Sequence, residues 1–397
     1  MRILFCVQDL PLPPPDGFRL YLNALTSELN RDHQVRILGF RSAAQIDDAS
    51  IKVAMRALPA PRRRSPRWVL ETSLSLGRGL VLRRPMKVDE LARRMRSALK
   101  EEIASFRPDV VHVSTGSLAA TGRYLEGVPA VLAALDAWHL NVEAWADQAR
   151  GVRRAILRTE AKRVRRFEAS DFSLFERVVV VTDEDKQALQ SLAPSLRLDV
   201  VPNGVDMEKF APKGPPNRKA GRILFTGVMS YAPNVAAAEM LVRDILPLVK
   251  QSHSEAHAVI IGRRPNARVR ALAEVEDVEV TGEVEAMEPW LSSGSVYACP
   301  MVSGTGIKNK LLEAMSNGIA CVATPLAVQG MEVRHGEDLL VGSSPSEIAS
   351  HISDLLSDRD RASRVGEAAR AYVKEHHSWS RAARSYERIY EEVCSSA

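Results

Sequence analysis

The stretch GTGIKNKLLEAMSNG, Gly304 to Gly318, decides how this chain is read. Gly304 and Gly306 predict a tight turn that opens straight into a helix, and Asn317-Gly318 predicts its end. The first N–H groups of a helix lack intrahelical acceptors and carry partial positive charge, so such an end suits a phosphate. Lys310 and Glu313 are three residues apart and share a helix face. A cation beside a diphosphate, with a carboxylate one turn deeper, predicts a nucleotide held by phosphate and ribose together.

On both sides of this stretch short apolar runs alternate with helical patterns. Strands are predicted at Arg222–Thr226, Ala258–Gly262, Val278–Thr281, Val296–Cys299 and Ala320–Thr324. Helices near Val235–Gln251, Ala286–Ser292, Ile307–Asn317 and Pro345–Ser357 separate them. The N-terminal half follows the same plan. Its strands are Ile3–Val7, Gln34–Gly39, Val110–Val113, Ala130–Leu135 and Val178–Thr182, and its helices lie near Gly17–Asn30, Val88–Phe106 and Glu143–Phe172. Such alternation predicts α/β domains with parallel sheets built from right-handed βαβ units. The segment VVPNGVDMEKFAPKGPPNRKAG, Val200–Gly221, is rich in Pro, Gly and Lys and reads as a linker. The expected division is 1–204, 205–377 and a closing segment 378–397, whose helix near Trp379–Val393 returns to the first domain. The fold expected is two facing, doubly wound domains, with ligands at the C-terminal ends of the strands and a cleft between the domains.

A length of 397 residues favours two domains over one, and 45% hydrophobic with 26% charged residues is the composition of a soluble globular protein. Cys6, Cys299, Cys321 and Cys394 lack metal-ligand spacing, and the first three lie in or beside apolar runs, which predicts reduced, buried thiols. MRILFCVQDL reads as a strand rather than a leader, and no apolar run reaches spanning length, so a cytoplasmic protein is expected. The net charge of +5 is concentrated. Arg62, Arg63, Arg64, Arg67, Arg78, Arg83, Arg84 and Lys87 form one cluster. GVRRAILRTEAKRVRRFE, Gly151–Glu168, forms another. Each is read either as a solvated face or as a surface for an anionic acceptor or anionic lipid headgroups, with the protein peripheral to the inner face of a membrane. With 5% aromatics and no recognised nucleic-acid module, nucleic acid is not an expected partner.

Five phrases occur in order: LPLPPPDGFR; VVVVTDEDKQALQ with VVPNGVDMEKF; ILFTGVMSYAPNV; VIIGRRP with VTGEVEAMEPWL; and GTGIKNKLLEAMSNGIACVATPLAVQG, trailed by HSWSRAARSYERIY. Together they resemble the retaining, nucleotide-sugar-dependent glycosyltransferases of the GT-B fold, family four. The exopolysaccharide-type sugar transferases of bacteria are the subgroup most similar. The resemblance implies transfer of a sugar from a nucleotide diphosphate to a hydroxyl acceptor, which is a glycan, a lipid-linked glycan or a small molecule. It implies no cofactor and no essential metal. It places Glu313 on the ribose hydroxyls, Gly306 and Ile307 on the diphosphate and sugar, and Val284 at the base. It places Gly227 where the phosphate passes the main chain and Gly17 in the loop that closes on the donor. Thr305 stands where most members carry a glutamate on the donor sugar. The usual Arg/Lys pair after the Gly227 position is absent, which leaves Lys310 as the expected cation for the leaving group, with Lys308, Arg263 and Arg19 as alternates. Asp136 stands where many relatives place a histidine, and His139 follows one turn later. Asp136 is expected to orient or deprotonate the acceptor, or else to cap the next helix, and His139 to bind the acceptor or serve structure. Asp183-Glu184-Asp185 is read as a helix start rather than a metal site. The competing functions are a nucleotide-sugar epimerase, a glycan phosphorylase and a non-catalytic nucleotide- or sugar-binding regulator. A dehydrogenase is disfavoured because no G-x-G-x-x-G follows the first strand.

Overall fold

The computed structural model describes residues 1–13, 17–41, 45, 51–60, 84–85, 88–212, 218–304 and 306–396. The chain divides into two compact units, Met1–Pro202 with Ala382–Ala397, and Asn203–Arg381.

The first unit holds seven strands: β1 (Arg2–Asp9), β2 (Gln34–Arg41), β3 (Ala54–Pro59), β4 (Val110–Ser114), β5 (Ala130–Leu135), β6 (Arg177–Val180) and β7 (Leu198–Val200). They form one parallel sheet in the order β3-β2-β1-β4-β5-β6-β7. Strands buried on both faces read as unbroken apolar runs, and Ile3–Val7 of β1 is wholly buried. The order reverses between β1 and β4. The helix Val88–Phe106 packs Ala92, Met95 and Leu99 into the same core as Leu4, Val111 and Leu132. The final helix, Trp379–Ser395, belongs to this unit from Ala382 onward. There Tyr386 Oη lies 2.9 Å from Tyr21 Oη, and Tyr390 Oη lies 2.6 Å from His112 Nδ1.

One helical pattern, Glu143–Phe172, is two helices, Trp138–Gln148 and Gly151–Asp171. Ala149 and Arg150 are extended, and Gly151 takes φ 57°, a left-handed conformation that glycine adopts without strain. The reversal brings Val142 against Ala161 and Val164, a small core that a single straight helix cannot form.

The second unit repeats the plan with β8 (Arg222–Thr226), β9 (His257–Ile261), β10 (Val278–Gly282), β11 (Val296–Cys299), β12 (Ala320–Ala323) and β13 (Leu340–Val341). The sheet is parallel in the order β10-β9-β8-β11-β12-β13, reversing between β8 and β11. The helix predicted over Val235–Gln251 begins at Ala232 and widens into a π turn at Leu241–Ile245. Pro247, which supplies no N–H, sits in the short helix that follows, Leu246–Val249. The presumed linker is partly core, because Val205 and Phe210 are buried within the second hydrophobic cluster. The helix Arg359–His376 was not expected. It approaches through Gly366, where a Cβ would lie 2.2 Å from Gly318 O. Among the described residues, no helix is long and apolar enough to cross a membrane.

Candidate active site

In the second unit the reversal point lies between the ends of β8 and β11, where an open parallel sheet offers its ligand crevice. Gly227 follows β8 and Gly262 follows β9. Gly262 has φ 149°, and a Cβ there would lie 1.7 Å from Gly227 O, so two main chains pass with no room for a side chain. Arg263 comes next. It is half-buried, and its guanidinium has no hydrogen-bond or ion-pair partner among the described residues.

The other wall follows β11. Gly304 and Gly306 take φ 104° and 69°, values that L side chains rarely adopt. Thr305, between them, lies outside the described residues. The N–H groups of Gly306 and Ile307 have no backbone acceptor among the described residues. The helix starts two residues later than predicted and spans Asn309–Ser316. Leu311, Leu312, Ala314 and Met315 anchor it in the core, and it ends at Gly318, φ 73°.

Lys308 is bonded within the turn itself. It is the residue before the helix, only 7% exposed, and its Nζ donates to Gly304 O at 3.1 Å and Gly306 O at 2.5 Å. These two bonds tie the ammonium to the glycine turn. Lys310 instead donates to Asn234 Oδ1, sits 3.7 Å from Met301 Sδ, and lies 5.4 Å above the centre of the Phe225 ring. Burial lowers its pKa against the opposing pull of Cys299 and Glu313. Asn234 in turn donates to Val228 O at 3.0 Å, tying the loop after β8 to Lys310. Sequence reading missed Asn234, since an asparagine after proline at a helix start signals only a turn.

Glu313 is half-buried one turn below Lys310, and its carboxylate has no hydrogen-bond or ion-pair partner among the described residues. Burial pushes its pKa up to about 7, with Lys209 and Lys310 opposing and Glu288 adding to the rise. Asn309, at the first turn of the same helix, carries a buried Oδ1 without a partner. An orphan acceptor of this kind costs about 1–3 kcal/mol until something donates to it. Val284 follows β10, half-buried against the core, with no backbone hydrogen bond among the described residues. At the far end of the helix Arg370 donates to Ser316 O, and Arg218 donates to Gly318 O at 2.8 Å.

In the first unit Gly17 opens the helix Gly17–Leu29, while Pro14, Pro15 and Asp16 lie outside the described residues. Strand β5 ends at Leu135 with φ 70°, a strained value for leucine that costs on the order of 1–3 kcal/mol. This twist sets Asp136, which accepts from Asn141 Nδ2 at 2.8 Å. Asp136 does not cap the next helix, whose N-cap is Ala137 without a side-chain cap. The Ala137 N–H goes instead to Asp185 Oδ1 at 2.9 Å. Burial and the neighbouring Asp185 charge raise the Asp136 pKa to about 6. His139 is buried, its Nδ1 2.6 Å from Glu168 Oε2 and its N–H 3.3 Å from Glu168 Oε1, while Nε2 has no partner among the described residues. The Asp183–Leu192 helix is capped by Thr182, not by its acids: Thr182 Oγ1 accepts the Asp185 N–H at 3.1 Å and donates to Asp185 Oδ2 at 2.5 Å. Among the described residues no group of acids, histidines or cysteines has metal-binding geometry.

Two family comparisons divide the chain as the fold does. The family described as Glycosyltransferase Family 4 matches residues 15–209, and the one described as Glycosyl transferases group 1 matches residues 220–358. With the two parallel-sheet units these matches make the chain a GT-B glycosyltransferase of the family-four type. Phosphatidyl-myo-inositol mannosyltransferase of Mycobacterium tuberculosis is 31% identical over 217 residues, 49% of this chain and 54% of that protein. The aligned region thus spans about half the length of this curated relative. Among solved structures, sucrose-phosphate synthase from Thermosynechococcus elongatus superposes with a TM-score of 0.72 at 14% identity, covering 100% of each chain. Anabaena Alr3699/HepE, solved in complex with UDP and glucose, gives 0.66 at 13% identity, covering 99% of this chain and 100% of that one. At these identities the superpositions speak for the fold.

Proposed function

We propose that the protein transfers a sugar from a nucleoside-diphosphate sugar to a hydroxyl of a lipid-linked or glycan acceptor, with retention at the anomeric carbon. The observation that carries this is Glu313, a half-buried carboxylate without a partner among the described residues, one turn from Lys310 and beside a glycine turn whose N–H groups have no backbone acceptor among them. A carboxylate with two acceptor oxygens suits the vicinal diol of a ribose. Gly306 and Ile307 N–H groups, Lys310 and Arg263 then meet the diphosphate, and Asn309 Oδ1 accepts from a ligand hydroxyl. Val284 presents free backbone groups to the base.

As the bond between C1 and the leaving phosphate oxygen breaks, negative charge grows on that oxygen, and Lys310 stabilises it without reorganising. The acceptor oxygen bonds to C1 on the same face, and its proton passes to the leaving phosphate oxygen. In the first unit, the Asp136 carboxylate oxygen that Asn141 leaves free is the candidate to hold an acceptor hydroxyl. The identity of the M. tuberculosis relative supports a lipid-linked acceptor, and the HepE complex supports a nucleoside diphosphate. Thr305 in place of a sugar-binding glutamate bears on which sugar is carried.

A thermal-shift panel with UDP, GDP, ADP, dTDP and NAD, with and without EDTA, tests the reading. A ligand bound only by the folded state raises Tm. One nucleoside diphosphate should do so, insensitive to EDTA, and Glu313→Ala should abolish the shift. A shift with NAD alone, or with none, refutes it. Slow hydrolysis of the matching nucleotide sugar separates an enzyme from a binding protein.

A further inference from the structure

We propose that the hairpin of helices Trp138–Gln148 and Gly151–Asp171 docks the protein on an anionic lipid bilayer. Val152, Ile156 and Trp145 are 78%, 60% and 52% exposed, although each is a large apolar side chain. Val152 and Ile156 lie four apart and share one helix face. Trp145 lies one turn beyond Val142, toward the chain reversal at Ala149 and Arg150. The hairpin does not need these three for its own cohesion, because Val142, Ala161 and Val164 close it, with Trp138 and Leu157 packed alongside.

Cations surround the apolar strip. Arg150, Arg153, Arg158, Lys162 and Arg166 are exposed and have no ion-pair partner among the described residues. Only Arg154 and Arg165 of the exposed set are paired, with Asp147 at 3.6 Å and Glu143 at 2.7 Å. At about 100° per residue, Lys162 and Arg166 fall on one side of the Val152–Ile156 face and Arg153 on the other. An exposed apolar strip bordered by unpaired cations is the pattern of a helix that lies at the boundary of headgroups and acyl chains. A second copy of the chain fits this face poorly, because a two-fold contact sets the same unpaired arginines against each other. A polyphosphate chain leaves Val152 and Ile156 in water.

The proposal rests on the lipid-acceptor reading for its purpose, but it is tested without turnover, so the two fail separately. The full chain is sedimented with vesicles of phosphatidylcholine alone and of phosphatidylcholine mixed with phosphatidylglycerol. Binding is expected to the mixed vesicles only, and to weaken as salt rises. Arg153→Glu with Lys162→Glu should lower partitioning at least about twentyfold, since each basic residue near such a surface contributes about fivefold. Val152→Ser with Ile156→Ser should also lower it, and more of that loss should persist at high salt. Both double variants should keep the nucleotide-induced rise in Tm, which shows that they fold. Three outcomes overturn the proposal: no binding to anionic vesicles, binding unchanged in both double variants, or a concentration-dependent dimer that the Val152→Ser/Ile156→Ser variant dissolves while vesicle binding persists.

Discussion

Glu313→Gln should make the free protein more stable and the nucleotide complex weaker, and both effects follow from one carboxyl. Burial holds the Glu313 pKa at about 7, against an ordinary value of 4.5. A carboxyl with a raised native pKa binds its proton more readily in the folded chain than in the unfolded one. Its contribution to stability is therefore complete below pH 4.5 and is lost as the pH rises through about 7. That interval, at about 1.4 kcal/mol per pH unit, amounts to about 3 kcal/mol above pH 7 and under about 1 kcal/mol at pH 5. Glutamine keeps the shape and cannot ionise. For a unit of this size about 1 kcal/mol moves Tm by about 2–4 °C, so the variant should melt roughly 6–12 °C higher at pH 8 and close to wild type at pH 5. The same change removes a charge-assisted acceptor worth about 1.5–3 kcal/mol to a ribose hydroxyl, so nucleoside diphosphate should bind about 10- to 100-fold more weakly. Differential scanning calorimetry of the free protein across pH, with isothermal titration of the nucleotide, reads both. A variant that is less stable than wild type at pH 8, or whose Tm difference does not change with pH, refutes the burial argument. An unchanged nucleotide affinity refutes the ribose assignment.

Lys310→Met should leave donor binding within about tenfold and lower turnover by on the order of a hundredfold or more, because its charge acts mainly on the breaking bond. Steady-state kinetics that show a raised KM and an intact kcat would assign it to binding alone. Gly262→Ala should prevent the second unit from folding, since a Cβ 1.7 Å from Gly227 O has no soft side chain to displace. Soluble expression with a normal melt would show that the β8 and β9 ends can separate. With Asp136 at about pKa 6, acceptor-dependent turnover should rise through that pH as its carboxylate forms. Asp136→Asn should remove that limb and cost on the order of a hundredfold while the nucleotide-induced Tm shift stays, and a pH profile unchanged in the variant would exclude Asp136 from the acceptor step.

The central strands were legible because they are buried on both faces, so their apolar runs stand unbroken. Strand β3 was not, since its residues are half-buried or exposed along the edge of its sheet. Strands β7 and β13 are three and two residues long, too short for a pattern. The helix Arg359–His376 escaped notice because it buries only five of its 18 residues, one of them Gly366 against the main chain at Gly318. In the candidate site Lys310 and Glu313 could be read from their spacing on one helix. Asn234 could not, because it meets Lys310 from 76 residues away and only the fold joins them. Glu168 likewise meets His139 from a separate helix, 29 residues on. The direction of Lys308 was not legible for a related reason. Sequence gives a lysine its charge but not its direction, and here the side chain turns back under its own loop.

The helix Asn309–Ser316 is only eight residues, about 12 Å from end to end. Arg370 holds its last carbonyl, Ser316 O, and Arg218 holds Gly318 O two residues beyond; both arginines come from distant parts of the sequence. A rod this short has no slack, so displacement at its tail is felt as rotation or slippage at Lys310 and Glu313. Substitutions at Arg218 or Arg370 should therefore masquerade as active-site lesions in any survey of variants. A map of functional tolerance drawn by distance from the ligand would misplace them, whereas one drawn along this helix would not.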